Sequence, residues 1–439
     1  MKRRSRGIAP ALLPLAAALL GAATVPARAD TLIDNVEGLT LDRSGAVRRF
    51  SGLLVGNDGR VAQVLQPGDK RPARVDYLLD GKGRVLMPGF VDGHAHVMRI
   101  GFAGLTLDLT PAKTVAEVQA RVAAYAAAHP ERAWIVGSGW DRAAMAGASA
   151  ALLDAAVKGR PVWLESADGH SGWANNAALA AAGITPTTKD PAGGHIERLA
   201  GKPTGLLGES AMALVARAVP PPRPEDRDLA LAEAQEALLR HGITSVTDMG
   251  TTIEDWQAYR RAGDAGRLRL RVLAYAAGTE AMSLIAGPGP SPWLYDDRLR
   301  LGGVTLVADG ALATRGALLG APYADSPTAT GLARLNETQL RNLMSRAAID
   351  RFQVAVEAHG DKAVSQAVAA FAELAQTYKG DRRWRIDGAE VVAPADGARL
   401  AAGGITVVAQ PMALAPALAE TRIGATRLGA VQAWASLTR

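Results

Sequence analysis

After residue 80 the chain alternates short apolar, strand-like runs with Ala-rich helical stretches. The strand-like runs fall at residues 84–87 continuing into 90–92, then at 244–247, 268–275, 303–308, 352–356, 383–392 and 405–409. The stretch 224–241 is typical of the helices between them: it opens on Pro224, carries Glu225 and Asp226 in its first turn and stops before Gly242. Strands alternating with helices are the order of a parallel sheet, so an α/β fold, a TIM-type (β/α) barrel, is predicted. Before it, residues 46–50, 52–55 and 61–64 are short and β-like, the last two joined by the turn Asn57-Asp58-Gly59, which predicts a small sheet unit over residues 30–86. Residues 106–227 do not fit one strand–helix step and carry their own apolar runs at 133–136 and 161–164; an insertion over the barrel mouth accounts for them.

The first 29 residues stand apart. Lys2, Arg3, Arg4 and Arg6 precede an apolar run over residues 8–25 that ends in Ala27-Arg28-Ala29, the pattern of a secretory signal peptide cut after Ala29. Pro10, Pro14 and the small-residue end argue against the rival reading, a membrane anchor. Export to the periplasm or medium is expected; Arg3-Arg4 leaves the Sec and twin-arginine routes both open. Cleavage would remove five basic residues and no acidic one, so 49 Lys and Arg against 43 acidic residues become 44 against 43. The basic balance therefore belongs to the leader, and neither a nucleic-acid nor a membrane-surface partner is expected of the rest. No cysteine is present, so disulfides and thiolate metal sites are excluded and a metal would need His and carboxylate ligands.

The sharpest local signal is Pro88-Gly89-Phe90-Val91-Asp92-Gly93-His94-Ala95-His96. Histidines at i and i+2 on an extended segment point to one side, so both imidazoles can meet one cation at a strand end. This segment resembles the first barrel strand of the amidohydrolase superfamily. Further stretches are similar to its amidohydrolase-3, N-substituted formamide deformylase-like branch: Asp168-Gly169-His170-Ser171-Gly172-Trp173-Ala174-Asn175, Pro203-Thr204-Gly205-Leu206-Leu207, Ala308-Asp309-Gly310-Ala311-Leu312, Gly360-Asp361-Lys362-Ala363 and Gln410-Pro411. The resemblance implies a β-sandwich portion at residues 30–86 beside a hydrolase barrel at 87–439, one or two divalent metals at the strand ends, and hydrolysis of an amide or other C–N bond of a small molecule by metal-activated water.

Against that pattern the chain departs at several positions. Thr305 stands where similar proteins have a metal-bridging lysine, Glu357-Ala358-His359 where they have a ligand histidine at the first of the three places, and Gly388 where the sixth strand carries a histidine. Met412 follows Gln410-Pro411 where a histidine is common, and Arg439 is reached before the eighth strand with its aspartate. An open barrel edge of this kind invites pairing with a second copy.

The expected metal ligands are thus His94, His96, Glu357 and His359, holding one divalent ion in preference to two, with zinc the expected metal. Asp309 and Asp248, after strand-like runs, are the candidate proton acceptors, each with an ordinary turn or cap role as the alternative. His170 and Trp173 are candidate substrate contacts, weighed against structural hydrogen bonding and packing. His129 and His241 are expected to be solvated and His195 to be a loop residue. Two functions follow: a metal-dependent hydrolase, or a catalytically inactive relative acting as a binding protein or non-functional copy.

Overall fold

The computed structural model describes residues 30–432 except 143, 412, 413 and 415; the expected signal peptide, at 1–29, lies outside the described residues. The chain divides after Pro88 into two compact units.

In the first unit, Thr31–Asp34 runs antiparallel to Gly52–Val55 and parallel to Tyr77–Asp80, and Val61–Leu65 completes a four-stranded sheet. A separate three-stranded sheet joins Val47–Phe50, Glu37–Leu41 and Val85–Leu86. The run read as one strand over 84–92 is therefore two: Val85–Leu86 belongs to this small sheet, and the chain breaks at Pro88, which has no N–H to continue a ladder.

The second unit is a barrel-like sheet of seven parallel strands in sequential order: β1 Phe90–Ala95, β2 Ile243–Thr251, β3 Arg271–Ala277, β4 Leu299–Val307, β5 Gln353–Ala358, β6 Arg385–Gly388 and β7 Thr406–Val408. All seven strand-like runs and the α/β barrel class are borne out. Helices cover the outer face, so both faces are buried and the strands read as continuous apolar runs; in β4 seven of nine residues are buried. The main core lies between strands and helices, with Leu299, Leu301 and Val304 packed among Leu340, Met344 and Phe371. A smaller interior cluster gathers Met249, Tyr275 and Ala355. The sheet is nearly closed: a Cβ on Gly93 of β1 would come within 3.8 Å of Val408 of β7, though no ladder joins those strands among the described residues.

Between β1 and β2 the chain builds a second sheet of six strands, ordered Gly194–Leu199, Lys202–Glu209, Ser171–Ala174, Val162–Ser166, Ile135–Trp140 and Leu107–Asp108. It has its own cores, one around Trp140, Trp173, Leu153 and Val118, the other around Trp163, Ala178 and Leu207. Among the described residues no helix is long and apolar enough to cross a membrane.

Candidate metal centre

The end of β1 delivers His94 and His96 on one side of the strand, as the i, i+2 spacing requires. Their Nε2 atoms lie 3.3 Å apart and the rings meet edge to face, at 84°. Each outer nitrogen is held. His94 Nδ1 is 2.8 Å from Asp387 Oδ2 of β6, and His96 Nδ1 is 2.8 Å from the Met249 carbonyl of β2. The carbonyl can only accept, so His96 Nδ1 carries a proton. Asp387 already accepts two hydrogen bonds from Arg385, at 2.6 and 2.7 Å, so it too accepts from His94. In neutral rings both Nε2 atoms then present lone pairs to each other across 3.3 Å, an arrangement that calls for a positive charge between them. Burial, together with the neighbouring His94, lowers the pKa of His96, which disfavours a proton as that charge.

A second group lies beside the first. His170, Glu357 and His359 offer one ligand atom each, all within 4.8 Å of one another. His359 Nε2 is 3.3 Å from Glu357 Oε1, and the His170 and His359 rings are again edge to face, at 88° with centroids 5.9 Å apart. The outer nitrogens again face carboxylates. His170 Nδ1 lies 3.2 Å from Glu209 Oε2. His359 Nδ1 is 3.5 Å from Glu390 Oε2, an ion-pair distance at which it makes no hydrogen bond. Burial raises the pKa of Glu357, but the hydrogen bond from His359 and the charges of His359, His170 and His94 outweigh it and pull it down to about 2. The same balance holds Glu209 at about 2, where His170, Thr314 and Arg334 outweigh burial. Burial alone would lower His170 and His359; their carboxylate partners raise both.

Local sequence explains how these side chains arrive. His170 follows the turn Asp168-Gly169, in which Gly169 has φ +77°, Asp168 accepts from the His170 amide, and Arg99 from the helix after β1 reaches the Ser166 and Ala167 carbonyls. Glu209 ends the strand Lys202–Glu209 and is gripped by Thr314 and Arg334 of the segment after β4. The inserted region thereby places an imidazole in the barrel mouth. His359 fills the space in front of Gly388: a Cβ there would stand 2.9 Å from its Cε1 and Nδ1, and Gly388 has φ +91°. The glycine that looked like a lost ligand in the sequence is the opening into which the ring from the neighbouring strand fits.

The four expected ligands are thus split between two groups, and His170, expected to touch substrate, belongs to the second. Three other expectations are corrected. Trp173 is fully buried in the inserted sheet, with Nε1 donating to the Ser149 carbonyl and its ring edge-on to Trp140, so it cannot touch substrate. Asp248 is buried with its oxygens taken by the Val97 amide, Thr251 and Tyr259. Asp309 accepts from the amides of Leu318, His359 and Gly360. Burial lifts both aspartates to about 6, and each accepts three hydrogen bonds from the scaffold. His241 is exposed and His129 half-buried against Tyr125, while His195, expected in a loop, lies in the strand Gly194–Leu199. Asp387, Glu209, Glu390 and Arg385 were missed as site residues. No local signal marks them: Asp387 meets a residue 293 positions away, Glu209 one 105 away.

The chain belongs to the amidohydrolase family, whose profile matches residues 78–439. Among curated proteins it is similar to the Protein LONG AFTER FAR-RED 3 of Arabidopsis thaliana, 32% identical over 406 residues (87% of this chain, 68% of that one). The putative amidohydrolase YtcJ of Bacillus subtilis is 30% identical over 336 residues (73% and 61%), and the N-substituted formamide deformylase of Arthrobacter pascens 28% over 402 (87% and 73%). The chain thus spans 61% to 73% of these three relatives' lengths. Two solved metal-dependent hydrolases, both uncharacterized, share the fold. That from Pyrococcus horikoshii has a TM-score of 0.71 at 24% identity, covering 93% of this chain and 80% of that one. That from Pyrococcus furiosus has a TM-score of 0.68 at 26%, covering 93% and 83%. The protein is a hydrolase of the amidohydrolase type, and the family implies a divalent metal. The residues present fit one: facing Nε2 lone pairs in the first group, and two imidazoles beside an ionised carboxylate in the second.

Proposed function

We propose that this chain hydrolyses an amide or other C–N bond of a small molecule at these two groups. The observation that carries the reading is the pair of imidazole nitrogens at 3.3 Å with both outer nitrogens already committed as donors. Donors that are all imidazole or carboxylate make zinc the expected metal. The expectation of a single ion rested on Thr305 standing where similar proteins have a metal-bridging lysine; with His170 beside Glu357 and His359, we favour one cation at His94 and His96 and a second at His170, Glu357 and His359. A divalent cation lowers the pKa of water and polarises a carbonyl oxygen. Among the chain's own residues Glu357, held ionised, supplies negative charge felt by His94, His170 and His359. Names among the relatives make N-acyl and N-formyl amines the first substrates to try. Residues 1–29 carry the further proposal that the protein is exported from the cytoplasm.

The test is metal content and activity of the purified chain, alongside His94→Ala and His170→Ala, on a panel of N-acyl and N-formyl amines. About two ions per chain, one lost in each variant, is expected. A folded wild-type protein that takes up no divalent metal would end the hydrolytic reading and leave the binding-protein alternative.

A further inference from the structure

Two of the four imidazoles share a second layer that the catalytic reading does not use. Behind His94 stand Asp387 and then Arg385; behind His170 stand Glu209 and then Arg334. In the first chain Arg385 donates from Nε to Asp387 Oδ1 and from Nη2 to Oδ2, the fork geometry that fixes a carboxylate in plane. The same Nη2 donates at 2.6 Å to the carbonyl of Gly93, one residue before His94. Arg385 therefore reaches from β6 to β1 across the side of the barrel where, among the described residues, no ladder joins the sheet's two ends. It is not at the surface: its side chain is 9% exposed, that of Asp387 is 1%, and the guanidinium lies 5.5 Å from the Tyr275 ring centroid. In the second chain Glu209, 4% exposed, takes Arg334 and His170 on the same oxygen.

A buried arginine is held at the cost of removing its charge from water, and a paired carboxylate only partly offsets that cost. Two apolar residues would serve packing as well or better. What the pair adds is direction. Asp387 accepts from His94 Nδ1 and so directs the ring's lone pair, on Nε2, toward His96. The guanidinium fork and the Gly93 contact fix where Asp387 and the His94 backbone stand relative to each other.

We propose that Arg385 with Asp387, and Arg334 with Glu209, are positioning pairs: each sets the Nδ1–H tautomer and the ring orientation of one histidine, His94 and His170 respectively, so that Nε2 is free for a cation. This rests on the metal-site reading above, but its first readout does not need a metal.

The experiment uses the full chain, labelled with ¹⁵N-histidine and stripped of metal. Long-range ¹H–¹⁵N spectra are assigned by single histidine substitutions, and Zn²⁺ affinity is measured against a chromophoric chelator. In the wild type, His94 and His170 are expected as Nδ1–H tautomers. The double variant Arg385→Met/Asp387→Leu replaces the buried pair by apolar side chains and is expected to fold. His94 should then move to the Nε2–H form, and Zn²⁺ affinity should fall roughly 10–100-fold, the usual size of an outer-layer effect. Asp387→Asn keeps an oxygen facing Nδ1 and should retain the wild-type tautomer and most of the affinity. The proposal is overturned if the double variant keeps His94 as Nδ1–H with affinity within about twofold of wild type. Should that variant misfold, Arg334→Met/Glu209→Leu, read at His170, decides by the same two outcomes. A wild-type protein that binds no Zn²⁺ would sink the metal reading, while the tautomers still settle the positioning role.

Discussion

The two imidazole groups are built to one plan from different materials. His94 and His96 come from one strand, and their anchors, Asp387 and the Met249 carbonyl, come from two other strands of the same sheet. His170, Glu357 and His359 are assembled from β5, the segment after it and the inserted sheet, and the anchor of His170 depends on Arg334 and Thr314 gripping Glu209. The first group is as stable as the barrel; the second also needs the inserted region docked in place. Local stability is set by the weakest element that a site recruits, so the second group is the one expected to open first.

The largest blow to both groups at once is Glu357→Gln. Structural zinc sites are worth ~10–16 kcal/mol over four ligands, or ~2.5–4 kcal/mol per ligand, so removing this carboxylate should weaken metal binding by about 10²–10³-fold and lower kcat/KM with it. Metal titration should show weakening at both positions. Next come His94→Ala and His170→Ala, each expected to cost about 10²-fold in metal affinity at its own position only. If either variant empties both positions, the groups form one site and the distinction drawn here fails. Mild urea sharpens the contrast, since it should release metal from the second position before the first.

Gly388→Ala tests the second group without replacing a ligand, by pressing on one. A side chain at φ +91°, 2.9 Å from the His359 ring, should cost ~1–3 kcal/mol by overpacking and strain, measured by chemical denaturation, and should weaken only the second position. The two buried aspartates form a smaller pair. Asp309→Asn leaves one of three fixed backbone amides facing an NH₂ group and should cost ~1–3 kcal/mol. Asp248→Asn faces two hydroxyls, Thr251 and Tyr259, that can turn round and accept, so its cost at pH 7 should stay below about 1 kcal/mol.

The same buried aspartate also makes stability depend on pH. The pKa of Asp248 is about 6 in the folded chain against 3.8 for the free group. Between these values the folded state binds more protons than the unfolded one. Its contribution therefore favours folding below about pH 4, is lost as pH rises to about 6, and is on the order of 2–3 kcal/mol. Urea titrations from pH 4 to 7 should show that slope diminished in Asp248→Asn; an unchanged slope would assign it to other groups.

The barrel strands were legible because both of their faces are buried, which writes a continuous apolar run into the sequence. Where the reading slipped, a backbone event was responsible: Pro88 divides one apolar run between two sheets. His94 and His96 were legible because two ligands on one strand leave a local spacing. Asp248 and Asp309 misled because a carboxylate after a strand looks the same whether its oxygens face a substrate or three backbone amides. Trp173 lies three residues after His170, yet the turn at Gly169 and the strand that follows send one into the mouth and the other into a core. Arg385, Glu209 and Glu390 acquire their roles only from chain segments brought together by folding.

The fit of His359 against Gly388 ties two positions into one unit. With any side chain at 388 the ring at 359 has no room, and with glycine at 388 and no ring at 359 the second group has one donor fewer. In this chain the two positions are therefore coupled: a side chain at 388 displaces the ring at 359, so the costs of substituting them should not add.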